Sequence, residues 1–213
     1  MKFRIACAAL ASALALGTLA GCAPLIVGGA AVGAFMVTDR RTSGAQIDDE
    51  TIELRGGARL REALGENAHV NVNSYNRQVL LTGEVPSQAA KQQAEQIVGK
   101  VDNVKTVLNE LAVMPPTALS QRSSDVLVTG KVRASFVDDQ ELQANSFRVV
   151  TERGTVYLMG RVTQREADRA TQIARQVAGV QKVVRIFEVM TAEELRQATM
   201  APPPTQPAAS APR

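Results

Sequence analysis

The stretch VYLMGRV, Val156 to Val162, decides the fold, because the same pattern occurs earlier in the chain as VLLTGEV, Val79 to Val85. In both, a run of apolar residues typical of a buried strand leads into a glycine and ends on a valine. The similarity continues downstream with one residue of slack after the glycine, so that Ile97 aligns with Ile173. A stretch that recurs over this length predicts two copies of one structural unit.

Each copy predicts a hairpin, a helix and a third strand. Strand-like runs are joined at Tyr75 to Gln78 and at Glu152 to Gly154, where Gly154 can take a positive φ. The third strands are predicted at Val104 to Val113 and at Val180 to Val189. The helices between are predicted from apolar residues at helical spacing. These residues are Ala90, Ala94, Ile97, Val98 and Val101 in copy one, and Ala167, Ala170, Ile173, Ala174 and Val177 in copy two.

An opening helix is predicted ahead of each hairpin, because apolar residues recur there at helical spacing. They are Ile52, Leu60 and Ala63 in copy one, and Val128, Val132 and Phe136 in copy two. Gly56 and Gly57 would each cost the helix of copy one about 1 kcal/mol relative to alanine. The unit is then αββαβ, an α+β fold with a small three-stranded mixed sheet and two helices on one face. We interpret Gly160 as the corner that turns the chain from the strand toward the next helix.

The beginning of the chain predicts a signal peptide over residues 1–21. Lys2 and Arg4 precede an apolar run from Ile5 to Leu16, which is the layout of a secretory signal. The next residues, Leu19-Ala20-Gly21-Cys22, resemble the bacterial lipobox. There the cysteine thiol is diacylated and the new amino terminus is acylated again, commonly with palmitate. An ordinary signal peptide with an incidental cysteine is the alternative.

Lipidation of Cys22 would place the protein on a membrane, since two or more acyl chains hold a protein stably on a bilayer. The residue after Cys22 is Ala23 rather than aspartate. By resemblance to enterobacterial sorting, this implies the outer membrane, with the body of the protein on its periplasmic face. Cys7 leaves with the signal, so no disulfide is predicted and the fold depends on packing.

Composition divides the rest of the chain into an anchor segment, two domains and a tail. The predicted ranges are 22–47 for the lipidated anchor and its Gly/Ala-rich linker, 48–114 for domain one, 115–123 for the linker between the domains, 124–191 for domain two, and 192–213 for a disordered Pro/Ala-rich tail. The apolar part of the anchor segment, Leu25 to Val37, is shorter than the roughly 20 residues that a crossing needs. It is either a tether or a surface-associated segment, in which Arg40 and Arg41 would suit anionic head groups.

The residues that would carry catalysis or metal binding are scarce. His69 is the only histidine, and a lone histidine at the start of a strand is more often a surface or packing residue than a base or ligand. Asp138, Asp139 and Glu141 lack the glycine-centred spacing of a calcium loop and are interpreted as a solvated turn. The chain also lacks P-loop spacing and has only 3% aromatic residues for stacking on bases. We therefore predict no enzyme activity, no metal, no cofactor and no nucleic-acid partner.

The order of elements resembles the BON domain. The resemblance rests on the V-x-L-x-G-x-V strand, the Ala-rich helix and the sequence Ala178-Gly-Val-Gln-Lys-Val-Val that follows it. Two such domains behind a lipobox and the sequence DRRT, Asp39 to Thr42, resemble the periplasmic dual-BON outer-membrane lipoproteins of the DolP (YraP) type. The resemblance implies binding rather than catalysis, with roles in outer-membrane integrity, resistance to envelope stress and division-site function.

The same resemblance implies that the first helix of domain two recognises anionic phospholipids such as phosphatidylglycerol and cardiolipin. Here that helix is predicted at Ser124 to Val137, and Leu127 stands where the family pattern has an aromatic residue. With Val128, Val132 and Phe136 inward, an apolar strip beside cations faces outward, which suits a head-group interface. The candidate phospholipid-binding residues are Leu127, Lys131, Arg133, Ala134 and Val137.

Charge also favours domain two for an anionic surface. Residues 48–113 carry seven Lys/Arg and ten Asp/Glu, whereas residues 124–191 carry ten and eight. One alternative is a solvated helix whose Leu127 covers the neighbouring domain. Another is an interaction scaffold in which the acidic domain one binds envelope-biogenesis or peptidoglycan-remodelling proteins, and lipid is contacted only through Cys22. Whether the two copies pack on each other is left open.

Overall fold

The computed structural model describes residues 39–200, and only the backbone of the last three of these. The signal peptide, Cys22, the apolar segment Leu25 to Val37 and the chain after Met200 lie outside the described residues. Copy one comprises α1 (Ser43–Leu64), β1 (His69–Tyr75), β2 (Gln78–Val85), α2 (Gln88–Gly99), β3 (Thr106–Asn109) and β4 (Ala112–Val113). Copy two comprises α3 (Leu119–Asp138), β5 (Phe147–Glu152), β6 (Thr155–Val162), α4 (Gln164–Gln176) and β7 (Lys182–Val189), and is followed by α5 (Ala192–Met200).

Each copy is an αββαβ unit with a mixed sheet, which confirms the predicted α+β fold. In copy one, β2 pairs antiparallel with β1 and parallel with β3 and β4. In copy two, β6 pairs antiparallel with β5 and parallel with β7. The repeated stretch is thus the central strand of each sheet, which explains why it is apolar along almost its whole length.

The two helices of each copy cover one face of its sheet. In copy one, Ile52 and Leu60 of α1 and Ala94 and Val98 of α2 pack with inward residues of β2 such as Leu81. Copy two repeats this arrangement with larger side chains on the opening helix. Its helix–sheet core contains Val128, Val132, Phe136, Val156, Leu158, Ala170 and Ala174.

The other faces of the two sheets pack on each other. Tyr75 and Leu80 of copy one form a buried cluster with Tyr157 and Met159 of copy two. The Tyr75 hydroxyl also donates a hydrogen bond to the Ser146 carbonyl oxygen, at 3.2 Å. Each copy therefore buries both sheet faces, and the described chain is a four-layer helix–sheet–sheet–helix body. A domain of about 65 residues is marginal alone, so this contact adds core that neither copy has by itself.

The glycine of the repeated stretch lies inside the strand and is not the corner predicted for Gly160. Gly160 pairs with Phe147 and Phe187 within the sheet, and the strand ends only at Val162. A Cβ at Gly160 would lie 2.6 Å from the Ser146 carbonyl oxygen, and one at Gly83 would lie 2.0 Å from that of His69. Gly83 also has a φ of +112°. Both positions need glycine because the start of the neighbouring strand approaches too closely for a side chain.

The hairpin turns are built the same way in both copies, with a buried carboxylate from the opening helix beneath each. Asp49 accepts hydrogen bonds from the backbone N–H groups of Asn76 and Arg77, both at 2.7 Å. Asp125, the equivalent residue of α3, accepts from those of Arg153 and Gly154, at 2.8 and 2.9 Å. Each turn has two residues with positive φ, which is the two-residue hairpin geometry that matches strand twist.

The third strand of copy one is shorter than predicted and is interrupted. It begins at Thr106 rather than Val104, and Glu110 and Leu111 separate β3 from β4. The Asn109 side chain accepts a hydrogen bond from the Leu111 N–H at 3.3 Å and donates to the Lys91 carbonyl oxygen at 2.8 Å. A side chain that bonds nearby backbone groups competes with the sheet ladder, and this accounts for the break.

Three predicted boundaries differ from the structure. Residues 43–47, assigned to the anchor linker, open α1, because the Thr42 hydroxyl caps its first turn. Residues 119–123, assigned to the linker between the domains, form the first turn of α3. Residues 192–200, assigned to the disordered tail, are helical, because Thr191 and Glu194 cap that helix through reciprocal hydrogen bonds.

Candidate membrane-binding surface

Helix α3 presents two faces of opposite character. Its inner face is fixed by Val128, Val132 and Phe136, which are 5%, 0% and 1% exposed and pack on β5 and α4. The opposite face is open to solvent along the whole helix. The inward assignment of these three residues is therefore confirmed, and it settles which side chains of α3 face outward.

All five candidate phospholipid-binding residues lie on that exposed face. Leu127 is 67% and Val137 is 72% exposed, and Lys131, Arg133 and Ala134 are also exposed. Leu127 consequently does not cover the neighbouring domain, so that part of the alternative is wrong. With successive residues about 100° apart around the helix axis, Lys131 and Arg133 lie on opposite sides of the apolar strip. The strip thus has a cation on each flank.

The apolar strip is longer than the sequence indicated. Leu119 is 77% and Val126 is 71% exposed, and both lie on the outer face. Leu119 was missed because the polar sequence Ser120-Gln-Arg-Ser-Ser was interpreted as linker, which placed the start of the helix at Ser124. The prolines at 115 and 116 are the signal that could have found the earlier start, because a helix commonly begins soon after such residues.

The two flanking cations are electrostatically free. Within residues 39–200, the side chains of Lys131 and Arg133 make no ion pair and no hydrogen bond. In contrast, Arg169 of α4 pairs with Asp139 at 2.7 Å, and Arg165 pairs with Glu141 at 2.9 Å. A cation without a protein partner has lost none of its Coulomb attraction for an external anion.

The arginines of the DRRT sequence are structural, which corrects the interpretation that they suit lipid head groups. Arg40 is 5% exposed and forms a two-pronged ion pair with Glu166 of α4, at 2.6 and 2.9 Å. Arg40 also donates to the Arg161 carbonyl oxygen at 3.0 Å. Burial raises the pKa of Glu166, but the bonds from Arg40 and from Thr163 lower it, and the net pKa lies below its usual value. The start of the described chain is thereby fastened to copy two.

Arg41 is engaged with copy one instead. It pairs with Asp39 at 2.7 Å and with Asp49 at 2.8 Å, and its guanidinium lies 4.5 Å from the centre of the Tyr75 ring. Burial lowers the pKa of Arg41, and the hydrogen bonds to the two carboxylates raise it above its ordinary value. The neighbouring arginines therefore connect the segment before α1 to both copies.

A buried carboxylate also joins the two copies on their shared side. Glu84 is 0% exposed, and its Oε1 lies 2.5 Å from Arg153 Nη1 in the hairpin of copy two. Burial raises the pKa of Glu84, whereas the bonds from the Thr117 N–H and Arg153 lower it, and the net pKa is below its usual value. His69, the only histidine of the chain, places Nδ1 3.3 Å from the same carboxylate. These groups act in domain packing.

Carboxylates elsewhere in the described region do not assemble into a metal centre. No group of three or more metal-ligating side chains with suitable geometry occurs among the described residues. Asp139 and Glu141, two of the three carboxylates considered for calcium, are each held by an arginine of α4. Across residues 39–200, no helix has the length and apolar content that a membrane crossing requires.

Known proteins are similar to this chain in sequence. The family model of the BON domain matches the chain twice, at residues 48–115 and 124–191. The chain is 38% identical over 174 residues to Outer membrane lipoprotein DolP of Haemophilus influenzae, which covers 81% of this chain and 90% of that protein. It is 33% identical to a 21 kDa hemolysin of Actinobacillus pleuropneumoniae, covering 70% and 78% of the two chains. Osmotically-inducible protein Y of Escherichia coli is 29% identical, with 66% and 72% covered.

The two BON matches together include most of the described chain, and each coincides with one αββαβ unit that has its own helix–sheet core. The similarity to the lipoprotein from Haemophilus influenzae extends over both units. The chain therefore belongs to the BON family, as a two-domain member of the DolP type.

Proposed function

We propose that this protein is an outer-membrane lipoprotein, anchored through Cys22 on the periplasmic face, whose second BON domain binds anionic phospholipid through the outer face of α3. The anchor and its location are supported by the lipobox and by the name of the relative from Haemophilus influenzae. In this role the protein supports outer-membrane integrity and resistance to envelope stress, and acts at division sites. Binding, and not catalysis, is its activity.

The observation that carries the proposal is the exposed strip of α3 between two unpartnered cations. Large apolar side chains on a surface helix, with Lys or Arg beside them, are the pattern of helices that lie in a lipid interface. Leu119, Val126, Leu127 and Val137 are each between 67% and 77% exposed. The apolar residues would enter the head-group boundary while Lys131 and Arg133 contact phosphates.

The start of the described chain lies near α3. Arg41 pairs with Asp39, where the described chain begins, and Arg41 lines the same groove as Arg133 and Val137 of α3. The described chain thus begins beside the carboxyl-terminal half of α3. A lipid anchor on the same chain holds the second domain near a membrane, which raises the effective concentration of α3 at the lipid surface.

A fluorescent label on α3 of the lipidated, full-length protein tests the proposal. Cys7 leaves with the signal and Cys22 is blocked by lipid, so a new cysteine is the sole free thiol of the mature chain. Ala134→Cys carries an environment-sensitive dye, and Ala58→Cys, at the equivalent exposed position of α1, is the matched control. In vesicles containing phosphatidylglycerol or cardiolipin we expect a blue shift at residue 134 that is absent at residue 58.

The same labelled protein in vesicles of neutral lipid is the second control, because the anchor inserts there equally well. Raising the salt concentration should weaken the shift, since exposed charges are screened within about 8 Å at physiological ionic strength. Equal shifts in neutral and anionic vesicles would exclude recognition of anionic lipid by α3. The anchor itself is tested by Cys22→Ala, which should release the protein from the membrane or leave an unprocessed precursor.

A scaffold for envelope proteins is the second candidate, and one observation favours it. Helix α1 exposes Ile47 and Leu54, at 66% and 67%, on a helix with more acidic than basic residues. These are side chains that a protein partner could cover. In that case lipid contact is made by Cys22 alone, and reversing the charges of α3 leaves function intact.

A further inference from the structure

A groove opens beside the carboxyl-terminal half of α3, between the two copies. Its volume is about 460 Å³, which is within the roughly 300–1,000 Å³ of small-ligand sites. Three arginines line it, one from each of three segments: Arg41 from the DRRT sequence, Arg133 from α3 and Arg148 from β5. No aspartate or glutamate is among its lining residues. The lining favours an anion.

The three guanidinium groups differ in how free they are. Arg41 is held by Asp39 and Asp49, and Arg148 is held by Glu53 at 2.8 Å. Their positions are therefore fixed and their charges are partly compensated. Within the described residues Arg133 has no partner, so the excess positive charge of the groove belongs to Arg133. Two fixed arginines behind one free arginine form a preorganised positive wall.

Neutral hydrogen-bonding groups complete the lining. The amides of Asn73 and Asn145 both face the groove. The side-chain oxygen of Asn73 already accepts a hydrogen bond from Arg148 Nη2 at 3.1 Å. The side chain of Asn145 lies in the exposed turn that precedes β5 and makes no hydrogen bond among residues 39–200. Its amide is available to donate to a ligand oxygen.

The groove is continuous with the apolar strip of α3. Val137 lines the groove and is also 72% exposed on the outer face of the helix. Arg133 likewise belongs to both surfaces. An anion in the groove would thus lie directly beside side chains suited to acyl chains, and this separates a lipid head group from free phosphate.

We propose that this groove receives the phosphate of one phosphatidylglycerol head group, with Arg133 as its direct partner and Asn145 as a second donor. The proposal rests on the membrane-binding function of α3 and makes it specific. The helix supplies membrane affinity through its apolar strip, and the groove supplies selection for a glycerophosphate. Arg41 and Arg148 position the site through their charge.

A carboxylate placed in the groove tests this without changing the charge of α3. Asn145→Glu introduces a negative charge at an exposed residue whose side chain makes no hydrogen bond within residues 39–200. Asn67→Glu makes the same change in the corresponding exposed turn of copy one and is the matched control. Asn145→Gln keeps the amide and is the conservative variant, which should retain more binding than Asn145→Glu. All are made in the full-length lipidated chain that carries the Ala134→Cys label.

The first measurement is the fraction of phosphatidylglycerol in neutral vesicles that gives half of the fluorescence shift. We expect Asn145→Glu to require about five- to tenfold more, since like charges in a binding site are strongly unfavourable. Asn67→Glu should match the unsubstituted chain, and Asn145→Gln should lose less binding than Asn145→Glu. If Asn145→Glu behaves like Asn67→Glu while the unsubstituted chain responds to phosphatidylglycerol, the groove is excluded and α3 binding stands. No response in the unsubstituted chain would instead remove the proposed function.

The second measurement distinguishes the source of the phosphate. Amide chemical shifts near Asn145 are followed in the full-length protein in neutral nanodiscs, with added dihexanoyl phosphatidylglycerol, dihexanoyl phosphatidylcholine or glycerol 3-phosphate. We expect the first to shift them at concentrations at least about tenfold lower than the other two. Equal potency of glycerol 3-phosphate would show a free-phosphate site and overturn the assignment to lipid. Equal potency of the phosphatidylcholine would overturn selection for the anionic head group.

Discussion

Helices α1 and α3 occupy the same place in the two copies, yet only their inner faces are alike. Asp49 and Asp125 hold the hairpin turns, and Ile52 and Val128 fill the same part of each core. Apart from these two buried aspartates, α1 carries four acidic and three basic residues, whereas α3 carries one acidic and three basic residues. The fold constrains the inner face of each helix, so a duplicated domain can acquire a separate role only on the outer one.

The cations of the two helices also differ in their partners. Arg55 of α1 pairs with Asp102 at 2.9 Å, and Lys131, at the equivalent position of α3, is free within the described chain. An exposed ion pair contributes little to stability, about 0–1 kcal/mol, but its carboxylate partly neutralises the cation. The absence of such a pair at Lys131 leaves its charge for a ligand. The features that the two copies share stabilise the fold, whereas the proposed lipid binding depends on features that they do not share.

The largest effect is expected from the glycines that the copies share. Gly83→Ala should lower the free energy of unfolding by about 4 kcal/mol, because a Cβ would lie 2.0 Å from the His69 carbonyl oxygen at a φ of +112°. Gly160→Ala should cost less, about 2 kcal/mol, because its contact is 2.6 Å and it lacks the positive φ. Urea denaturation measures both. Equal costs would show that close approach alone matters, and no cost in either would refute the role of the glycine.

These glycines also show what the sequence could and could not predict. The repeated stretch correctly predicted a buried strand in each copy, because a strand buried on both faces is mostly apolar. It did not predict why the glycine is there, since the carbonyl oxygen that approaches Gly160 belongs to Ser146, which directly precedes another strand. A contact between residues far apart in sequence leaves no local pattern.

The candidate site divides in the same way. Leu127, Lys131, Arg133, Ala134 and Val137 could be placed on an outer face because helical spacing fixes direction once the inner residues are known. The partners of Arg40 and Arg41 could not be predicted, because two adjacent arginines look alike in sequence. The partner of Arg40, Glu166, is distant in the chain, and no sequence pattern marks Asp49 as the partner of Arg41. The groove depends on three segments brought together by the packing of the two sheets.

The second largest effect concerns the ion pair between Arg40 and Glu166, which fastens the start of the described chain to copy two. Arg40→Met should lower the free energy of unfolding at neutral pH by about 3 kcal/mol, because Glu166 would lose its ion pair while remaining largely buried. Thermal and urea unfolding at pH 7 measure this loss. Arg59→Met, on the exposed side of α1, is the control and should have little effect.

The ion pair between Arg40 and Glu166 also predicts that stability depends on pH. The pKa of Glu166 in the folded protein lies below its usual value, so its stabilising effect is present above the unfolded pKa of about 4.3 and is lost as pH falls through the folded pKa. The difference in stability between the unsubstituted protein and Arg40→Met should therefore shrink below about pH 4. A difference in stability that stays constant down to pH 3 would show that Arg40 does not lower the pKa of Glu166.

Charge reversal on the outer faces tests the assignment of binding to copy two. Lys131→Glu with Arg133→Glu should weaken binding to phosphatidylglycerol vesicles at least about tenfold, which is 1.4 kcal/mol or more, without changing the free energy of unfolding. Arg55→Glu, at the position of α1 that corresponds to Lys131, is the control and should leave lipid binding unchanged. Vesicle binding and complementation of envelope defects are measured on the same variants. Function that survives the loss of lipid binding would favour the scaffold.

The smallest effect separates the two hairpin turns. Gly154 has a φ of +71°, and Arg77 has a similar φ of +68° at the equivalent position of copy one. Gly154→Ala should cost about 1 kcal/mol, because a side chain at this φ is strained and its Cβ would displace the exposed Gln181 side chain. Arg77→Gly relieves the same strain but loses the ion pair with Asp48, so the two effects nearly cancel, to within about 0.5 kcal/mol. Because Asp49 and Asp125 hold both turns equally, a large loss in Arg77→Gly would mean that the ion pair and not the carboxylate cap fixes the turn of copy one.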